Sequence, residues 1–346
     1  MWLPRCSPLH VYRVQLRRFF TSTLALSLAS VAVLLASLSV GPAGLSPRWL
    51  LEVISGRASQ EVRVVLSIRL ARTAVSYLTG AVLGLSGALM QGVTRNPLAD
   101  PFILGLSSSA LTVVAAALVL QPGLIAMRYY LMALAFAGAL LGFTLTVAMS
   151  RLAGGSSTSL VLSGIAVSAF FSGLSHVLLY AVQRATGVPY ILLLAGSASS
   201  ALVRDIPYLL ASAAVCLAIS LAISKGLNAY LYGDEYSQQL GFNPRLLSLI
   251  ASATASLGTG VTIAVTGIVG FVGLASPHVS RFLVGSDHRF LLPTSFLVGG
   301  VVTLVADVVV RLISMGSPYG ELPLGSITSS IGGPFVAYVL LRWFRR

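Results

Sequence analysis

The sequence predicts an all-α membrane protein of about ten transmembrane helices, and three observations carry that expectation. Of its 346 residues 56% are apolar and only 9% charged, whereas ordinary soluble domains are roughly 25% charged. Apolar runs recur from Phe19 to the last turn, with no polar block long enough to form a soluble domain. The 22 basic residues outnumber 9 acidic ones and sit at the ends of the apolar runs, the usual membrane placement. A nucleic-acid partner would need a basic face with polar or aromatic company, so the net charge of +13 does not point to one.

A hydrocarbon core of about 30 Å takes about 20 apolar residues as helix. The first such segment, 19–40, follows Arg13, Arg17 and Arg18. It is longer than the apolar part of a signal peptide and no clear small-residue cleavage site follows, so it reads as a retained span behind a tail, residues 1–18. Further spans fall at 70–91, 101–120, 128–150, 158–181, 205–224, 246–267, 270–284 (a short one), 289–312 and 322–341. Residues 19–346 thus form one transmembrane domain. Ten is even, so both termini share a side, and the basic tails Arg5 to Arg18 and Arg342 to Arg346 mark it as the cytoplasm of a cell membrane. The outer side departs from the rule, because Arg48, Arg57, Arg63, Arg69 and Arg72 cluster there. So basic an outer face asks for an anionic partner or substrate.

Within the spans, Gly80, Gly84 and Gly87/Ala88 recur at the three-to-four spacing of close helix packing. Gly164, Ser168 and Ser172 do the same on the fifth span, where Ser175 and His176 extend the stripe toward a pathway lining. Asn96-Pro97-Leu98-Ala99-Asp100-Pro101 breaks the helix after the second span, with Asp100 as the next cap and Pro101 suited to its first turn. The polar stretch 225–246 contains Gly233, Asp234, Glu235, Gln239, Leu240 and Gly241, a short amphipathic helix between glycines that serves either as a solvated surface or as a docking surface. Asp307 and Arg311, four apart near a helix end, are expected to pair structurally rather than to form a proton relay.

Several chemistries are excluded. The only lysine lies in Ser224-Lys225-Gly226, so there is no P-loop, and ATP use requires a separate subunit. Pro277-His278 and Asp287-His288 lack a second ligand at helical spacing, and Cys6 and Cys216 stand alone, so neither a metal site nor a catalytic residue is expected. Ion-coupled transporters carry mid-span ionisable groups, and this chain is poor in them.

Taken in order, Arg69-Leu70-Ala71-Arg72, the helix ending in Gln91, Asn96 to Pro101, Gly233-Asp234-Glu235 with Leu240-Gly241, Gly267 to Leu274 running into Pro277-His278, Asp287-His288-Arg289, Asp307 with Arg311, and Glu321-Leu322-Pro323 resemble the FecCD-type permease family of binding-protein-dependent ABC importers. The resemblance covers about Arg69 to Phe335. It implies a homodimer of the type II importer architecture, with the pathway on the two-fold axis lined by helices five and ten. It also implies two ABC ATPase subunits that use ATP and Mg2+, an extracytoplasmic binding protein, and a cargo such as an iron-siderophore, cobalamin or haem. The loop at Gly233–Gly241 would dock on the ATPase, and Arg69, Arg72 and Arg311 would receive acidic residues of the binding protein. Ala71 stands where the family often has proline, and Ala195 where a tryptophan commonly precedes Gly-Ser. The competing readings are an ion-coupled secondary transporter, a non-transporting scaffold, and a permease of the same family for an oxyanion such as molybdate.

Overall fold

The computed structural model describes residues 8–41, 58–187, 196–315 and 321–344, with isolated positions between 49 and 56. Cys6, Arg48, Arg57, Ala195, Arg345 and Arg346 lie outside the described residues. The described chain is helical: α1 (Pro8–Ser39), α2 (Gln60–Thr94), α3 (Leu106–Leu120), α4 (Arg128–Leu152), α5 (Ser157–Thr186), α6 (Ile206–Tyr230), α7 (Asp234–Gln239), α8 (Pro244–Thr266), α9 (Val272–Val284), α10 (His288–Ser314) and α11 (Leu324–Phe344). Among the described residues seven helices are long and apolar enough to cross a membrane (α1, α2, α4, α5, α6, α8 and α10), and α3 is a shorter apolar helix. Each of the ten expected segments holds a helix, but α3 and α9 fall short of a span's length.

The differences from expectation have local causes. The expected tail is helical from Pro8, so Arg13, Arg17 and Arg18 lie on α1 rather than before it. The third segment is split: Pro101–Leu104 form a 3-10 turn capped by Asp100, and Gly105 at φ 77° starts α3 afresh. The eighth expected segment is helical only from Val272, the start of α9, because Phe271 adopts φ 74° and the preceding Gly267 caps α8.

α2 is the central helix and packs on α10, α8, α9 and α6. Its small residues make this possible. A Cβ on Gly80 would lie 2.2 Å from the Gly299 carbonyl, and one on Gly87 would lie 1.7 Å from that of Gly273. Backbones this close gain dispersion contacts, the main attraction between helices in lipid. The packing reading of the α2 glycines therefore holds. The largest apolar core surrounds Leu85, Leu89, Met90, Val93 and Leu104, with Leu160, Leu227 and Leu292 from other helices.

Successive antiparallel helices give the molecule two ends. At the first, α1, α8 and α10 finish while α2, α4 and α11 start; at the second, α2, α4 and α6 finish, α5, α8 and α10 start, and α7 lies.

Candidate functional site

Charged groups concentrate at the two ends. At the first end Asp307 of α10 is fully buried and accepts from Arg72 of α2 (Nε at 3.0 Å and Nη2 at 2.9 Å) and from Arg311 (Nε at 2.9 Å). Arg72 Nη1 reaches Glu321, ahead of α11, at 2.8 Å. Arg311 Nη1 donates to the carbonyls of Ser37 and Val40 at the end of α1, at 3.0 and 3.2 Å. The i,i+4 pair of Asp307 and Arg311 thus forms as its spacing predicts, inside a four-membered bracket joining α1, α2, α10 and the start of α11. Two buried carboxylate–guanidinium contacts without solvent hold only because nearly every donor has an acceptor.

The arginines expected to meet a binding protein have partners within the chain. Arg69, Arg72 and Arg311 are 4%, 6% and 1% exposed. Arg69 donates to the Leu38 carbonyl at 3.1 Å and lies over the Trp49 ring. Arg72 and Arg311 are neutralised by carboxylates of the same chain, more than two hundred residues away in the case of Arg72, which sequence spacing does not reveal.

Beside the bracket a cavity of about 560 Å³ opens, lined by Glu321, Pro323, Arg128, Ser197 and the end of α8. Arg128 there holds Asp205 at 2.7 Å and donates to the Ser200 carbonyl at 2.6 Å.

At the second end the Asn96–Pro101 break folds as expected: Asn96 Oδ1 accepts from the Leu98 amide and Asp100 Oδ1 from the Phe102 amide, both at 2.9 Å. Burial pushes the Asp100 carboxyl up to about 6, against the pull of that amide. Pro277 is buried inside α9, and His278 Nδ1 lies 2.9 Å from the Leu274 carbonyl. The α7 helix carries Asp234 and Glu235 in its first turn, with Gly233 and Gly241 flanking it. Leu240, Tyr232 and Tyr236 are exposed, and the two tyrosine rings meet at 5.5 Å. Gln239 is exposed beside them.

Sequence reasoning missed what anchors this end. Arg95, at φ 50°, donates to the Tyr230 carbonyl at 2.8 Å, lies 3.9 Å over the Tyr230 ring and pairs with Asp234. Asn228 bridges Asp287 (2.7 Å) and the His288 amide (2.8 Å). Burial raises the Asp287 carboxyl, but bonds from Arg289 and Asn228 win and hold it below the ordinary carboxylate range. Arg281 donates to Gln91 at 2.6 Å. A lone arginine beside a helix break was the one signal present for Arg95.

The α5 stripe divides. Ser175 is buried and donates to the Ser172 carbonyl, while Ser168 donates to the Ile103 carbonyl at 3.4 Å. Gly164 packs on that same carbonyl. Ser172 is half-buried, and His176 stands on the exposed face with Phe170 and Val177. The four residues follow one side of α5, running from buried Ser175 through half-buried Ser168 and Ser172 to exposed His176.

Comparison with known proteins agrees with this architecture. The hemin transport system permease HmuU of Yersinia pestis is 34% identical over 318 residues, 90% of this chain and 92% of its own length. The iron(3+)-hydroxamate import system permease FhuB of Bacillus subtilis (strain 168) is 34% identical over 310 residues, covering 88% of this chain and 79% of its own. A solved metal-chelate type ABC transporter in an inward-facing conformation superposes with a TM-score of 0.75 at 28% identity, over 93% of this chain and 99% of the other. The family model of the FecCD transport family matches residues 28–342. With that match across nearly its whole length, the chain belongs to the FecCD transport family.

Proposed function

We propose that this chain is the permease subunit of a binding-protein-dependent ABC importer that carries a metal chelate inward, an iron-siderophore before cobalamin or haem. The observation that carries the reading is the near full-length likeness to permeases named for iron(3+)-hydroxamate and hemin import. A cobalamin import permease of Halobacterium salinarum, 36% identical over 278 residues, keeps the corrinoid alternative in the same class. The chain has no P-loop, so a separate ATPase supplies the energy. The exposed Tyr232, Tyr236 and Leu240 around acidic α7 offer that subunit an apolar anchor with a charged rim. The apolar exposed face of α5 (Leu162, Ile165, Phe170, Val177, Tyr180) supports pairing with a second copy, the pathway lying between them. The second end, with α7, the start of α1 and the end of α11, is then cytoplasmic.

The test is uptake into proteoliposomes holding this chain, its ATPase and its binding protein. Ferric hydroxamate should accumulate only with ATP inside the cytoplasmic compartment, faster than cobalamin or hemin. Uptake without the ATPase, or driven by a proton gradient alone, would sink the proposal.

A further inference from the structure

At the second end a cleft of about 580 Å³ lies between the α4–α5 connection and the start of α8. Its lining includes Arg151 and Arg245, the hydroxyl residues Ser156, Ser248 and Ser252, and not one carboxylate. Neither arginine forms an ion pair with any described residue, although Arg245 also borders a groove that contains Asp234. Arg72, Arg95, Arg128, Arg289 and Arg311 hold carboxylates, whereas here two guanidinium groups without an ion pair among the described residues converge on one cleft. Ser252 is 1% exposed, and its hydroxyl finds no partner among the described residues. A buried hydroxyl without a partner costs free energy unless a ligand or water supplies one. Two long helices also begin here: Ser156 caps the 30-residue α5, and Arg245 sits in the first turn of the 23-residue α8. Helix starts carry partial positive charge and favour anions. Gly154 and Gly155, with nothing within 4 Å of an added Cβ, leave the rim open.

We infer that this cleft binds a phosphate group, held by Arg151 and Arg245 at the rim and by serine hydroxyls reaching down to Ser252. Arg forks match phosphate oxygens, and Ser hydroxyls donate to them. The phosphate comes either from an anionic lipid headgroup or from a soluble phosphate. The exposed apolar ridge of α4 (Leu141, Leu145, Met149, Leu152) leads to the rim, where acyl chains of a lipid would lie.

Native mass spectrometry of the detergent-purified chain with phosphatidylglycerol or phosphatidylcholine, and equilibrium binding of radiolabelled inorganic phosphate, separate the two sources. A preference of about fivefold or more for phosphatidylglycerol, lost in Arg151→Gln/Arg245→Gln, assigns the site to lipid. Phosphate binding without lipid preference, lost in the same variant, assigns it to soluble phosphate. Arg184→Gln, at the other end, should change neither. Ser252→Ala, a smaller change, should weaken the same ligand about two- to threefold and decides the matter if the double variant does not fold. Equal binding of both lipids with no phosphate bound overturns the inference, as does unaltered affinity in the folded double variant or in Ser252→Ala.

Discussion

At the scale of single residues, the two most informative groups are acids. Asp307 serves two guanidinium groups at once, so removing its charge leaves both unbalanced in a buried place. Asp307→Asn should cost about 3–5 kcal/mol, measured by thermal unfolding of the purified chain. Pairing it with Arg311→Met should cost less than the sum of the single changes; additive losses would show that the bracket is not one unit. Asp100 behaves in the opposite sense. Its carboxyl is raised from 3.8 to about 6, so the ionised form is favoured by the unfolded chain. That cost is absent below the unfolded value and complete above about 6, where it reaches at most about 3 kcal/mol. Asp100→Asn keeps an oxygen to accept from the Phe102 amide. It should therefore raise the melting temperature at pH 7.5 and lose that advantage as the pH falls toward 4. The cap on Phe102 was legible from Asp100-Pro101, because capping is local. The partners of Arg72 and Arg95 were not, because their acids arrive from distant helices that sequence spacing does not place.

At the scale of elements, the helices were legible where hydropathy alone decides, and least so where backbone conformation does. Apolar content placed α4 and α8 well, but could not show that Gly105 and Phe271 at positive φ would shorten α3 and α9. Small-residue spacing foretold the α2 contacts but did not by itself separate packing from lining on α5, since identical spacing fits both; there Ser168 and Ser175 bond to carbonyls of the protein itself. The α2–α9 contact gives a sharp test. Gly87→Leu drives a side chain into the Gly273 carbonyl and should cost more than the roughly 1–3 kcal/mol of ordinary overpacking, seen as lost folded yield. Gly173→Ala on α5 meets nothing within 4 Å and should leave that yield intact.

At the scale of the whole molecule, α7 stands apart from the core while Arg95 ties it to the end of α2. On the proposed function, Tyr236→Ala with Leu240→Ala should leave the isolated chain folded yet weaken capture of the proposed ATPase about tenfold or more in a pull-down titration. Unchanged capture would remove α7 from the coupling surface. At the opposite end the bracket has a consequence of an electrical kind. Two guanidinium and two carboxylate groups sum to zero, locked together within hydrogen-bond distance. An unbalanced charge carried across a 100 mV potential exchanges about 2.3 kcal/mol with the field. The bracket, moved as a body, exchanges none, so it brings no gating charge to any rearrangement of α2 and α10, and membrane voltage has nothing there to pull on.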